Sequence, residues 1–258
     1  RPPLRAVPPS AQTRVLPAPR LWTHTRLAWE VRRSPPDVLF VPAHVLPIGV
    51  RCPAVATVHD LGHRAHPEAH TWAQRAYLEW STRRHARLAR RILVDSRSTA
   101  DDLERYFPSC RGRVIVAPLG VDADMRPCGP EEIAAARAAL GVRPDRRYVL
   151  YVGTLQPRKN LDRLVTAWSL VCDRWPEVDL VLAGRPGWGG HDPAAIARRL
   201  GIERRVLLPG YVPRAMLPGA YSGAVALAHP SLYEGFGLTV AEAMACGTAV
   251  LASRASSL

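Results

Sequence analysis

Short runs of β-branched and apolar residues alternate along this chain with longer amphipathic stretches, and no other feature restricts the fold as much. Strand, helix, strand is the pattern of parallel sheets joined by crossover helices. In the first half the pattern predicts strands at Asp37–Val41, Val55–His59, Ile92–Asp95 and Val114–Ala117. A long helix is expected from Pro67 to Arg91, with Trp72, Tyr77, Trp80 and Leu88 near one face and its aromatic residues packed in the core. A shorter helix, Ser98–Phe107, stops before Pro108. Between Asp122 and Asp145 lie Pro127, Pro130, Gly141 and Pro144 around an Ala-rich helix, which reads as a connection. Five more strands are expected at Tyr148–Gly153, Leu180–Gly184, Val206–Pro209, Ala224–Ala228 and Ala249–Ala252, with helices starting near Asn160, Asp192, Pro213 and Gly237. The expectation is an α/β chain of two Rossmann-like domains, 1–128 and 146–258, joined through 129–145 and facing a cleft at the carboxyl ends of their strands.

Composition narrows the partners. Over 258 residues, 47% apolar and 22% charged content is that of a globular chain. No run of about 18 apolar residues occurs. The Pro/Arg-rich lead Arg1–Arg20 has no apolar core and does not read as a signal peptide; without an initiator Met, the chain is expected to begin inside a longer reading frame. Five scattered cysteines without CxxC spacing argue against a zinc site or disulfide framework and for a reducing, cytoplasmic setting. A formal charge of +13 favours anionic partners. Nucleic acid is not expected among them, because no basic stripe interleaved with aromatics is present. All basic residues but one are Arg or His; Lys159 is the only lysine, which singles out its position as one that needs a compact ammonium.

Two segments carry chemistry. In Gly153-Thr154-Leu155-Gln156-Pro157-Arg158-Lys159-Asn160 a strand ends, a loop follows, and Asn160 is placed to cap a helix. Two cations before a helix N-terminus suit a phosphate, because backbone N–H groups and the helix dipole add to their field. In Glu234-Gly235-Phe236-Gly237-Leu238 the glycines allow close backbone approach at a helix start, and Glu242 lies two turns further on, suited to the vicinal hydroxyls of a ribose. His63, His66 and His70 lack companion carboxylates or cysteines and read as a solvated helix start, not a metal site.

These residues resemble the family 4 (group 1) retaining glycosyltransferases of the GT-B fold. The resemblance rests on Gly153-Thr154-Leu155 with Arg158-Lys159-Asn160, on Gly210-Tyr211-Val212-Pro213, and on His229-Pro230-Ser231 leading into Glu234 and Glu242, which bracket seven residues. In the first half it rests on Thr57-Val58-His59-Asp60-Leu61, Val94-Asp95-Ser96 and Pro118-Leu119-Gly120-Val121-Asp122, so that it covers roughly 37–258. It implies that Arg158 and Lys159, with Gly153 and Thr154 beside them, grip the donor's phosphates. Glu234 contacts the transferred sugar, Glu242 the ribose, and Gly235, Phe236, Gly237 and Leu238 face the diphosphate or the sugar. His59 faces the donor sugar from the first, acceptor-side domain. Where many members carry Arg, this chain has Thr154, which leaves phosphate binding to Arg158 and Lys159. By the family pattern both domains are cut short at the chain ends: a first strand with its glycine-rich loop and the terminal helices are missing.

The activity so implied is transfer of a hexose, with mannose suggested by the His-Asp-Leu stretch, from a nucleoside diphosphate sugar to a hydroxyl of a glycan or lipid-linked acceptor. Configuration is retained, with His59, Arg158, Lys159 and Glu234 catalytic, no metal, and no cofactor beyond the donor. Peripheral contact with the anionic inner face of the plasma membrane is a further expectation. The alternative is a nucleotide-sugar-binding protein of the same fold with little or no turnover.

Overall fold

The computed structural model describes residues 10–16, 21–42, 45–187 and 192–258; most of the Pro/Arg-rich lead Arg1–Arg20 lies outside them. Two parallel sheets form, as the alternation predicts. The first contains β1 (Leu39–Val41), β2 (Ala54–Val58), β3 (Arg91–Val94) and β4 (Val114–Val116), side by side in chain order. Around it lie α1 (Ala28–Arg33), α2 (Gly62–Ala65), α3 (Trp72–Leu88) and α4 (Arg97–Tyr106). After α5 (Pro130–Ala139) comes the second sheet, with β5 (Arg147–Val152), β6 (Val178–Ala183), β7 (Val206–Gly210), β8 (Ala226–His229) and β9 (Val250–Ala252). Its spatial order is β7-β6-β5-β8-β9, all parallel. The order reverses direction between β5 and β8, and a crevice opens at their carboxyl ends.

Burial on both faces explains why the second sheet's strands read as continuous apolar runs. All six residues of β6 are buried, Asp179 included. That carboxylate is paired by Arg146 and Arg205, which meets the cost of its burial. One face packs Tyr148, Leu150 and Leu227 against Ala136 of α5, against Leu140 just past its end, and against α8 (Leu217–Ser222) and α9 (Leu238–Ala245). The other packs Tyr151, Leu180 and Leu182 against α6 (Leu161–Ser169) and α7 (Pro193–Arg199). The stretch read as a connection thus lends α5 to this core.

Three local expectations are corrected. The helix expected from Pro67 to Arg91 is broken: a 3-10 turn, Pro67–Ala69, precedes α3, whose start is fixed by Thr71 and Gln74 in a reciprocal capping box. The aromatic residues of α3 are not core. Trp72 is 81% exposed, and Tyr77, Trp80 and Leu88 are exposed as well. The helix turns Ser81, Thr82, His85 and Ala86 inward instead, and its polar groups find partners there: His85 Nε2 accepts from Leu46 N at 2.8 Å and Thr82 Oγ1 donates to Leu78 O at 2.8 Å. Tyr77 and Trp80 pack edge-on against His24. Third, His63 is not solvated; it is buried, with Nε2 3.5 Å from Glu79 Oε2 on α3. No helix among the described residues is long and apolar enough to cross a membrane.

One glycine fixes how the strand ends meet. A Cβ on Gly184 would lie 1.8 Å from the carbonyl oxygen of Gly153, which has a φ of 147°. Gly184→Ala is therefore expected to lower stability in urea unfolding by about 3 kcal/mol. Gly120→Ala, where an added Cβ meets nothing within 4 Å, should stay within about 0.5 kcal/mol of the parent. Equal behaviour of the two variants would contradict this packing.

Candidate functional site

The loops after β5 and β8 meet at the reversal point of the second sheet. After β5 the chain makes a 3-10 turn, Pro157–Lys159, and Asn160 takes the left-handed conformation at the start of α6. Asn160 does not cap that helix with its side chain, as its position suggested; Nδ2 donates to Pro230 O at 3.2 Å, tying the two loops together. Leu232 N donates to Arg158 O at 2.9 Å and adds a second tie. The loops are thus a unit before any ligand is considered.

Glu234 sits at the centre of that unit. Arg158 Nη1 donates to its Oε2 at 3.0 Å, and the Lys159 ammonium pairs with its Oε1. His229 Nε2 is 3.1 Å from Oε1 and 3.2 Å from Ser231 Oγ. All three charged side chains are largely buried, at 10% exposure for Glu234, 16% for Arg158 and 11% for Lys159. Burial alone pushes the Glu234 carboxyl up, but the His229 hydrogen bond and the Lys159 and Arg158 charges outweigh it and hold the group well below the usual carboxylate range. Burial draws the Lys159 ammonium down against the attraction of Glu234. Because the folded state lowers the Glu234 pKa, the stability it contributes is present above about pH 4.5 and is lost as pH falls toward the folded-state pKa.

Beyond Glu234, Gly237 adopts a left-handed φ of 86° and starts α9. Among the described residues the N–H groups of Phe236, Gly237 and Leu238 have no acceptor. Ser256 and Ser257 fold over the loop from the far side: Glu234 N donates to Ser256 Oγ at 2.7 Å, and Ser257 Oγ donates to Glu234 O at 2.9 Å. Nothing in the sequence spacing marked those serines.

Glu242 belongs to a different set of contacts. It is buried on α9, accepts from Tyr221 OH at 3.1 Å, and faces Arg214 at 3.4 Å. Arg214 in turn pairs with Asp122. Arg158, Lys159 and Glu234 are therefore in direct contact, whereas Glu242 sits apart from them with Tyr221 and Arg214. A cavity of about 290 Å³ opens beside Gly153 and Thr154 at the carboxyl ends of β5 and β6. On its rim Arg185 lies over the Tyr211 ring at 4.5 Å.

The first half closes on this loop. Tyr233 OH accepts from Leu61 N and donates to Asp102 Oδ2, both at 3.2 Å, and Thr99 Oγ1 donates to Gly235 O at 3.3 Å. A Cβ on Gly235 would lie 2.1 Å from His59 O, so the approach requires glycine. The His59 side chain is set by Asp95: Nδ1 is 2.8 Å from Asp95 Oδ2, and Nε2 is 3.2 Å from Pro42 O. Both ring nitrogens face acceptors, which favours the imidazolium. Burial works against the charge, but the Asp95 bond and charge, the Pro42 carbonyl and Asp60 raise the pKa overall. Asp95 lies in a segment that carries the resemblance, but its pairing with His59, 36 residues away, has no spacing signal. Among the described residues no group of three or more His, Cys, Asp or Glu side chains is arranged to hold a metal ion.

Comparison with known proteins agrees with this architecture. Residues 2–125 match the family described as Glycosyltransferase Family 4, and residues 132–258 match Glycosyl transferases group 1. The chain is 32% identical over 248 residues to O-antigen chain mannosyltransferase B of Escherichia coli, covering 96% of this chain and 65% of that protein. It is 36% identical over 171 residues to the D-inositol 3-phosphate glycosyltransferase of Segniliparus rotundus, covering 65% of this chain and 38% of that protein. It thus spans less than two thirds of the length of either relative. Among solved structures, Anabaena Alr3699/HepE in complex with UDP and glucose superposes with a TM-score of 0.68 at 23% identity, over 90% of this chain and 63% of that one. The two family matches and the paired parallel sheets support a group 1 glycosyltransferase of the GT-B type.

The pairing makes a sharp prediction. A phosphate arriving at these loops would have to compete with Glu234 for the same two cations. Glu234→Gln leaves those cations uncompensated and should cost about 3 kcal/mol of stability. Inorganic pyrophosphate should then raise the melting temperature of the variant more than that of the parent. Equal shifts would show that the anion does not reach Arg158 and Lys159.

Proposed function

We infer that this chain seats a nucleoside diphosphate sugar at the carboxyl edge of the second sheet and transfers its hexose to a hydroxyl acceptor with retention of configuration. One observation carries the reading: two largely buried cations lie where β5 and β8 diverge, in loops that also hold three N–H groups without acceptors among the described residues. A leaving diphosphate gains negative charge as the glycosidic bond breaks. Fixed donors aimed at that charge stabilise the transition state more than the ground state. Lys159, Arg158 and the α9 N-terminus supply them, so the proposed step asks for no metal and no cofactor beyond the donor. The base occupies the cavity beside Gly153 and Thr154, Glu242 takes the ribose hydroxyls, and Glu234 turns toward the transferred sugar as phosphate replaces it on the cations. His59, as an imidazolium held by Asp95, presents its charge to the donor from the first half. The E. coli relative's name supports mannose as the sugar and a growing glycan as the acceptor. The Anabaena complex supports a nucleotide sugar as the donor.

A place at the cytoplasmic membrane face fits the outer surface of the first half. Exposed Trp29 is flanked by Arg26 and Arg33, with their guanidinium carbons 5.4 and 5.2 Å from its ring, and exposed Trp80 by Arg84 at 5.4 Å. Aromatics beside Arg suit an anionic lipid interface. The chain should sediment with phosphatidylserine vesicles at low salt and not with phosphatidylcholine vesicles; equal sedimentation with both removes this contact from the proposal.

Lys159→Ala should reduce kcat for nucleoside diphosphate release by about a hundred- to a thousandfold. Glu242→Ala should act mainly on nucleotide affinity, read by calorimetry. Unchanged turnover in the first variant, or unchanged affinity in the second, contradicts the assigned role. A parent that binds nucleotide sugar and releases no diphosphate with any acceptor is instead a binding protein of this fold.

A further inference from the structure

The outward-facing residues of α3 border a groove that the donor site does not use. It has a volume of about 580 Å³ and runs along α3 from Trp72 to Arg83, with Tyr106 of α4 on the opposite wall. Eleven helical rises, from the first of its twelve residues to the last, make it about 16 Å long. Its floor is fixed. Glu79 accepts from Arg64 Nε at 2.7 Å and from Arg83 Nε at 2.8 Å, and the Arg64 guanidinium is held over the Tyr106 ring at 4.8 Å. The Arg64 hydrogen bond leads the other contributions in bringing the Glu79 carboxyl down to about 2, against burial, so it is ionised at neutral pH. Burial lowers the pKa of His63 behind it, which favours a neutral ring.

The charges do not balance. Three guanidinium groups face one carboxylate, a net charge of +2 in the groove. Arg75 makes neither a hydrogen bond nor an ion pair among the described residues, and the terminal nitrogens of Arg83 are likewise unused. At the head of α3 the Trp72 indole is 81% exposed, a large apolar face that nothing in the chain covers among the described residues. Glu68 acts on Arg75 through space without a hydrogen bond or ion pair, and a flat aromatic wall beside forks with open N–H groups matches a sugar ring bearing an acid group. The ring's C–H face lies on the indole, and its carboxylate or phosphate takes paired N–H bonds from Arg75 and Arg83. The short helix α2, which carries His63 and Arg64 of the groove, begins three residues after His59 in the first half of the chain.

We propose that this groove is a subsite for an anionic sugar residue, carboxylated or phosphorylated, of the acceptor glycan. The proposal rests on the acceptor reading of the first half, but its test does not depend on turnover.

The full chain is titrated with methyl β-D-glucuronide, glucose 6-phosphate and methyl β-D-glucoside while the Trp72 indole N–H resonance is followed by NMR. At least one anionic sugar should shift that resonance and bind about tenfold or more tightly than the neutral glycoside. Which one does so identifies the acid group. Arg75→Ala and Trp72→Ala should each weaken its binding by about tenfold, by calorimetry for the latter, and leave nucleoside diphosphate affinity unchanged. The proposal is overturned if no anionic sugar binds, if the neutral glycoside binds equally well, or if anionic binding survives both substitutions. It is also overturned if anionic vesicles alone perturb Trp72. Sugar binding as expected without nucleotide binding would leave the subsite standing and remove the donor reading.

Discussion

Everything else in the second half is arranged around one buried ion cluster. Glu234 holds Arg158 and Lys159 at the point where the sheet order reverses, the two cations coming from the loop after β5 and the carboxylate from the loop after β8. A charge taken out of water is tolerated only when it is paired and hydrogen-bonded, so the cluster fixes both loops at once. That fixity matters for chemistry. Donors already in place when charge develops need no reorganisation, which is the condition under which electrostatic stabilisation is large. In this structure the acceptor of those donors is a protein carboxylate with two oxygens, standing where the proposed mechanism puts the oxygens of a phosphate.

The cluster is also the hinge of contact between the halves. The residues on either side of Glu234 face the first sheet: Tyr233 reaches Leu61 and Asp102, and Gly235 lies under His59. Moving Glu234 therefore moves the two residues that close the cleft. A ligand that displaces the carboxylate from Lys159 is expected to be felt at His59, through backbone contacts that only glycine permits. Arg214 makes a second such link, since it bridges Asp122, in the chain between the sheets, and Glu242.

How much of this could be read from sequence depended on whether the signal was local. The strand β6 was legible because all six of its residues are buried and five are apolar. Lys159 was legible because it stands alone in a chain that otherwise uses Arg. The glycines before α9 announced a close backbone approach. Pairings across long separations were not legible: Arg158 and Glu234 are 76 residues apart, and nothing near either one names its partner. The α3 aromatics were misplaced for a different reason. Hydrophobicity assigns the inward face of a helix correctly only when that face is apolar, and here it is Ser81, Thr82, His85 and Ala86, with Thr82 Oγ1 and His85 Nε2 hydrogen-bonded. His63 was misplaced because burial of a neutral imidazole leaves no mark in spacing.

The central claim is that the loops after β5 and β8 form one anion-binding mouth. Hydrogen exchange followed by mass spectrometry, with and without saturating UDP, GDP or ADP, reads it directly. At least one nucleotide should slow exchange together in the peptides spanning 153–161 and 233–241, including the three N–H groups before and at the start of α9. Slowing confined to one of these peptides, or found only elsewhere in the chain, would contradict the account.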